Sequence, residues 1–332
     1  MSRTLVTGAT GFLGRHLVGQ LRESGVHVTA LCRGNDPALT ALGATVVRGD
    51  VLDAASVRAA SDGCDTLYHC AGKVSRLAED AEELYRIHVD GTKVTLDAAR
   101  AAGIRRVVLA STSGVVAVTK EPDEIRDERA ETPMDLLASW PYYRSKLFAE
   151  KAGLDRSGPG FEVVAVNPTL LLGPGDERGS STGDVVKFLE KKVPFVPAGG
   201  LSFVDARDAA AAMILAMERG RAGERYLVSA VNLTIEAFFS RLARISGVPA
   251  PRLKVPRSMT LARIGAGLME RAAKHLPQIE PVDRISAEMS QCFWYVNAGK
   301  ARDELGWTAR DPGETLADTI RDLEQRGVVW PR

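Results

Sequence analysis

Tyr142 and Lys146 stand four residues apart in Tyr142-Tyr143-Arg144-Ser145-Lys146, a spacing that makes them neighbours on one face of a helix. A phenol is a reluctant proton donor or acceptor near pH 7, its reference pKa being about 10. A fixed ammonium beside it stabilises the phenolate, and each pKa unit moved corresponds to about 1.4 kcal/mol. The pair can therefore act as a general acid or base. Upstream, Ser111-Thr112-Ser113 offers hydroxyls that can hydrogen-bond a carbonyl oxygen. Near the start, Thr7-Gly8-Ala9-Thr10-Gly11-Phe12-Leu13-Gly14 has the glycine spacing of a phosphate-binding turn. Gly8 permits the tight turn, Gly11 lets the backbone approach a pyrophosphate, and Gly14 lets a following helix pack closely. The free N–H groups and positive end of that helix would face the anion. Each pattern alone is common, so their order along the chain has to carry the reading.

The elements that must position these groups are legible. Apolar runs predict strands at Thr4–Val6, Val26–Cys32, Thr45–Val47, Thr66–Cys70, Arg106–Ala110 and Phe161–Val166. Between them helices are predicted after the glycine turn, over Ala54–Ala60, Ala81–Ala102 and Tyr142–Leu154. Such alternation implies an α/β protein with a Rossmann-type doubly wound parallel sheet, followed by a smaller C-terminal substrate lobe. Ligands in such sheets lie beyond the carboxyl ends of the strands. Those ends, at Gly8, Cys32-Arg33, Asp50, Ala71-Gly72, Ser111-Thr112 and Asn167-Pro168, should line one crevice. Residues 1–168 are assigned to the dinucleotide-binding domain and 169–332 mainly to the substrate lobe, with elements in 203–230 returning to the first.

In the second half, 172–176 reads as a turn, Glu177–Thr182 as polar and mobile, 183–191 as a helix and Pro194–Gly200 as a loop. Asp205 is placed to cap a helix over Ala206–Glu218. A strand at Tyr226–Val228 and an amphipathic helix over Ile235–Ile245 follow. Lys120–Glu131 is charge-dense and reads as a solvated loop. Leu261, Ile264, Leu268, Ala272 and Leu276 form an apolar stripe, with Arg257, Arg263, Arg271, Lys274 and His275 nearby. It reads as a core or lid helix in preference to a membrane-surface one.

In order, TGATGFLG, Asp50-Val51, Ala71-Gly72, the Ser111-Thr112 strand end, Tyr142-x-x-x-Lys146 and Asn167-Pro168 resemble an extended short-chain dehydrogenase/reductase. The resemblance continues through Gly173-Pro174-Gly175-Asp176, Phe203-Val204-Asp205, Gly223-Glu224-Arg225-Tyr226 and Ala301–Trp307, nearly end to end. Within that family the chain is most similar to the dihydroflavonol-reductase-like branch, which includes bacterial hopanoid-associated epimerases. The resemblance implies hydride transfer to a carbonyl carbon, with Thr112 hydrogen-bonding the oxygen, Tyr142 donating the proton, and Lys146 holding the nicotinamide ribose and tuning Tyr142. Ser113 competes with Thr112 for the carbonyl. By the same resemblance Gly8, Gly11, Phe12, Leu13, Ala71, Gly72 and Pro168 join the dinucleotide site, Asp50 contacts the adenine amine and Val51 packs on its ring. The family often has Asn where this chain has His88, for which a packed helix residue and a proton relay are both open readings.

An acidic residue at the end of the second strand would bind the ribose diol of NAD, whereas arginine accommodates the 2′-phosphate of NADP. Cys32-Arg33 occupies that position, with no carboxylate until Asp36, so NADP is favoured and NAD is possible. A chain of 332 residues with 45% apolar and 26% charged residues can bury a large core. Lys plus Arg number 43 against 42 Asp plus Glu, a net charge of +1, which offers no general field for nucleic acid or an anionic membrane. Cys32, Cys64, Cys70 and Cys292 lack metal-site spacing and read as reduced thiols of a cytoplasmic protein. No apolar run reaches the ~18 residues of a membrane span, and the early turn at Gly8 is read as leaving no room for a removable signal.

The expected partner is a small-molecule substrate. The resemblance allows a monomer or a homodimer paired through the 81–102 and 142–154 helices. Three functions compete: an NADP(H)-dependent reductase or dehydrogenase acting on an apolar or aromatic molecule, an NAD-dependent sugar-nucleotide epimerase or dehydratase, and a dinucleotide-sensing regulator. The second needs basic groups such as Arg178, Lys187 and Lys191-Lys192 to grip a nucleoside diphosphate. The third is disfavoured by the presence of both Tyr142 and Lys146.

Overall fold

Strand β1 (Arg3–Thr7) lies within a seven-stranded sheet in the computed structural model, which describes residues 2–255, 258, 260, 264 and 283–330. Chain order adds β2 (His27–Cys32), β3 (Thr45–Arg48), β4 (Thr66–His69), β5 (Arg106–Ala110) and β6 (Glu162–Pro168). A detour through β7 (Leu170–Leu172), β8 (Phe195–Val196) and β9 (Gly200–Asp205) precedes β10 (Arg225–Val228), which rejoins the sheet beside β6. The order across the sheet is β10-β6-β5-β4-β1-β2-β3, and all neighbours are parallel. The chain winds outward from β1 through β2 and β3, then restarts at β4 on the other side. The β1/β4 boundary is thus the switch point at which such sheets bind ligands.

Alternation along the strands divides the buried residues between two cores. Leu5, Leu67, Val107 and Val163 pack with Val57, Leu96 and Ala99 from helices Ala54–Ala60 and Gly91–Ala101. Their neighbours Val6, Tyr68, Val108 and Val164 pack on the opposite face with Leu17 and Leu21 of helix Phe12–Glu23 and with Ala209 and Met213 of helix Ala206–Arg219. This is a doubly wound sheet with helices on both faces.

A second sheet pairs β7 parallel and β11 (Val231–Thr234) antiparallel to β9, and β12 (Leu253–Lys254) pairs with β8. Its core joins Phe188, Phe203, Phe238 and Leu242 with Leu316 and Ile320 of the C-terminal helix Pro312–Gln325.

Three expectations need correction, and the Lys120–Glu131 loop gains detail. The single helix expected over Ala81–Ala102 is Ala81–Tyr85 and Gly91–Ala101 joined by a π turn at Arg86–Asp90. Pro194–Gly200 is not simply a loop, because it contains β8 and the start of β9. Glu177–Thr182 is tied down: the buried Asp176 carboxylate accepts from the N–H groups of Ser180, Ser181 and Thr182 and from the Ser180 and Thr182 hydroxyls. Lys120–Glu131 uses part of its charge internally. Arg126 Nη1 donates to the carbonyls of Val116 and Glu131, and Glu128 accepts from the Leu227 N–H.

Of the apolar stripe, Ile264 is exposed; Leu261, Leu268, Ala272 and Leu276, with Arg257, Arg263, Arg271, Lys274 and His275, lie outside the described residues. Among the described residues no helix is long and apolar enough to cross a membrane.

Candidate active site

The glycine turn sits at the switch point and is shaped by close backbone contacts. Gly8 has φ +70°, and a Cβ there would lie 2.4 Å from the Cys70 carbonyl carbon at the end of β4. A Cβ at Gly14 would lie 2.2 Å from the Gly8 oxygen, so helix Phe12–Glu23 rests directly on the turn. Asp53, Asp205, Thr234 and Asp311 cap their helices with side-chain oxygens, but Gly11 supplies none and no acidic residue follows in the first turn. The N–H groups of that first turn lack a side-chain acceptor at the cap, which suits an anionic ligand. Phe12 is buried and meets the His16 ring edge-on with centroids 5.6 Å apart, and Leu13 is half-buried.

Arg33 is exposed at the end of β2. Asp36, the first carboxylate after it, is engaged: Arg15 Nη2 lies 3.0 Å from one oxygen and the Leu39 N–H donates to the other at 3.1 Å. Asp50 accepts from the Leu52 N–H at 3.0 Å. Val51 lies so close to Gly91 that a Cβ on the glycine would come within 3.2 Å of Val51 Cγ2.

At the end of β5, Lys146 Nζ donates to the Ala110 carbonyl at 2.6 Å. Its burial lowers the ammonium pKa to about 8. Thr112 is half-buried and caps a short turn at Ser113–Val115, its Oγ1 accepting from the Gly114 N–H at 3.4 Å, whereas Ser113 is buried. Asn167 Nδ2 donates to the Thr112 carbonyl at 3.1 Å and to Glu150 Oε2 at 2.5 Å, and Glu150 in turn pairs with Arg225 at 3.0 Å. The ends of β5 and β6 are thereby fastened to helix Pro141–Leu154, which carries Tyr142 and Lys146. Pro168 is buried at the end of β6.

Burial pushes the Tyr142 hydroxyl well above the ordinary phenol range, with Tyr143 adding to the rise. Lys146 is turned to the Ala110 carbonyl, and desolvation disfavours the charged phenolate. The shift favours the protonated phenol, the state that can donate a proton.

An aromatic wall adjoins this group. Tyr143 meets Tyr142 edge-on at 5.0 Å and Trp294 at 4.9 Å, and Trp294 stacks on Trp140 at 5.6 Å. A Cβ on Gly114 would lie 2.2 Å from Tyr143 Cε1, so the rings press on the turn that follows Thr112. Sequence reasoning missed this wall because Trp294 arrives from far along the chain. It also missed Asn167 as a fastener, although its position beside Pro168 at a strand end was a usable signal. Across the cleft, Arg76 Nη2 lies 3.1 Å from Asp184 of helix Gly183–Leu189.

A seven-stranded doubly wound sheet, with a glycine turn at its switch point and a Tyr-x-x-x-Lys helix beside β5, defines an extended short-chain dehydrogenase/reductase. The chain belongs to the NAD-dependent epimerase/dehydratase family, whose profile matches residues 4–229. It is 34% identical to a Synechocystis protein provisionally named a dihydroflavonol 4-reductase, over 98% of this chain and 95% of that one. It is 32% identical to the 4-hydroxy-2-methyl-3-oxo-4-farnesyl-3,4-dihydroquinoline-1-oxide ketoreductase of Stigmatella aurantiaca, over 98% and 97%. Among solved structures, that of gox2253 superposes with a TM-score of 0.83 at 27% identity, covering 98% of this chain and 99% of that one. The protein is an oxidoreductase, a reductase or dehydrogenase of this superfamily.

Proposed function

We propose that the protein is an NADPH-dependent reductase that converts a ketone on an apolar or aromatic small molecule to a secondary alcohol. The observation that carries the reading is the aromatic wall of Tyr143, Trp294 and Trp140 set against Tyr142 on the Lys146 helix. A sugar nucleotide would put a charged, strongly hydrated ligand against those rings. The ketoreductase name of the Stigmatella relative supports the same direction.

The residues present fit a dinucleotide. Gly8, Gly11, Phe12 and Leu13 would hold its diphosphate at the uncapped helix start, and Arg33 its 2′-phosphate. Asp50 and Val51 would flank the adenine, with Ala71, Gly72, Pro168, Tyr142 and Lys146 at the nicotinamide end. When bound, that group supplies the hydride. Thr112 donates a hydrogen bond to the substrate carbonyl oxygen, Tyr142 delivers the proton to it, and the aromatic wall excludes water around the reacting carbon. Lys146, protonated below about pH 8, orients the ribose and places positive charge near the phenol as its proton leaves.

Two tests follow from these roles. Arg33→Ser should weaken NADPH binding about 10-fold or more, the loss expected for charge-assisted hydrogen bonds, while leaving NADH affinity unchanged. Equal loss for both cofactors in titration calorimetry would retire the assignment. Because burial lowers the Lys146 pKa to about 8, the ammonium is present below that pH and lost above it. Reductive kcat/KM, which reports free-enzyme ionisations, should therefore fall as pH rises through about 8. A profile flat well into the alkaline range would contradict that role for Lys146.

A further inference from the structure

We propose that His88 is a positioning residue: held as one neutral tautomer, it clamps the loop after β4 to the catalytic helix and sets the pose of Tyr142. The inference rests on the reading of Tyr142 as proton donor. His88 lies in the π turn Arg86–Asp90 and is 1% exposed. The extra residue of a π turn shifts the face that a side chain presents, and such turns often mark functional sites. Here the imidazole meets Gly72 so closely that a Cβ on that glycine would lie 3.1 Å from Nε2.

The hydrogen bonds leave the ring no choice of tautomer. The Lys73 N–H can only donate, and it donates to His88 Nε2 at 3.0 Å, so Nε2 carries the lone pair. In a neutral imidazole the proton is then on Nδ1. Nδ1–H donates to Ser145 Oγ at 2.8 Å, and the Ser145 hydroxyl donates to the Tyr142 carbonyl at 2.8 Å. The ring edge also contacts the Tyr142 ring, with centroids 5.7 Å apart. His88 thus touches the backbone beside Ala71-Gly72, the residue before Lys146, and the Tyr142 ring itself.

The same bonds exclude a proton relay. Protonating Nε2 would break the Lys73 bond and bury a cation near Lys146. Burial first, then Lys146, hold the His88 pKa well below the ordinary histidine value, with His69 adding to the fall. His69 is itself kept neutral, its pKa lowered to about 3 by burial and Lys146, between Thr7 and Thr92 hydroxyls at 2.7 Å and 3.2 Å. Every hydrogen-bonding atom of His88 is used for fastening.

The test combines a spectroscopic and a kinetic measurement on the full chain. In imidazole-¹⁵N NMR, with the signal assigned by its loss in His88→Asn, His88 should show a protonated Nδ1 and a lone-pair Nε2. This state should persist across the range in which an ordinary histidine titrates, about pH 5.5 to 8. His88→Ala should lower kcat about 10- to 100-fold, as expected for sub-ångström misplacement of a reacting group. His88→Asn, whose amide can still donate to Ser145, should recover part of that loss. In neither variant should the pH–rate profile change shape. An Nε2–H tautomer, titration of His88 in that range, or an alanine variant with wild-type kcat and KM would overturn the proposal. A wild-type protein inert toward every ketone would instead remove the reductase reading, while the NMR result still decides whether the clamp exists.

Discussion

Tyr142→Phe is expected to lower kcat for ketone reduction by about 10²- to 10⁴-fold, the range for removal of a positioned general acid. Dinucleotide affinity should fall far less than kcat, because the deleted atom is a single hydroxyl while most of the proposed binding groups lie on the glycine turn and strand ends. Burial shifts this phenol's pKa upward, which favours donation in the reductive direction. The reverse reaction asks the same oxygen to accept a proton, and should be slower at neutral pH. Thr112→Ala and Ser113→Ala separate the two candidate hydroxyls. Thr112→Ala should cost the larger factor, because Thr112 is half-buried whereas Ser113 is closed off. Equal turnover of Tyr142→Phe and wild type would remove Tyr142 from the mechanism.

The second large effect concerns stability. Asp205 is fully buried and holds three groups: it caps helix Ala206–Arg219 through the Arg207 N–H at 2.9 Å, forks onto the Arg207 guanidinium at 2.8 Å and 2.7 Å, and lies 3.6 Å from Arg310. Arg207 continues to Asp318 at 2.7 Å and Arg310 to Asp208 at 2.9 Å, so one carboxylate at the end of β9 joins helix Ala206–Arg219 to the C-terminal helix. Asp205→Ala would leave two guanidiniums facing an apolar gap. Breaking a buried pair costs about 3–5 kcal/mol. Both arginines are 24% exposed and keep another carboxylate, which places the expectation near the lower end, about 3 kcal/mol. Urea denaturation should show it; a change below about 0.5 kcal/mol, the scatter of ordinary surface substitutions, would contradict the network's role.

The pH sign follows from the same contacts. Burial alone would raise the Asp205 pKa, but Arg207 and Arg310 overcome it and hold the carboxyl below its ordinary value. The stabilisation is present above the unfolded aspartate pKa of about 3.9. It is lost as pH falls through the lower folded value.

Much of this architecture is legible in the sequence, for identifiable reasons. Strands buried on both faces read as contiguous apolar runs, so β1 to β6 and their carboxyl ends can be placed from residues such as Val107-Val108-Leu109. A turn that depends on the absence of a Cβ announces itself by glycine spacing. β9 was missed because Gly200-Leu201-Ser202 lacks a strand's apolar run, its polar hydroxyl being satisfied by the Asn232 side chain and the Trp294 carbonyl. Polarity also misled at Asp176, where serines and threonines that resemble a solvated loop serve one buried carboxylate. The π turn around His88 leaves no mark in an otherwise helical pattern. The Tyr142 electrostatics lie beyond the sequence for a different reason. Spacing reveals that an ammonium and a phenol share a helix face, but only depth decides whether attraction or desolvation wins.

The most direct measurement is NADPH oxidation by the purified protein against a panel of aryl and polycyclic ketones, with nucleotide sugars alongside. A ketone reductase should oxidise NADPH only when a ketone is present, with one alcohol formed per NADPH consumed. A protein that leaves every ketone untouched, and instead isomerises or dehydrates a nucleotide sugar with no net loss of cofactor, would contradict it.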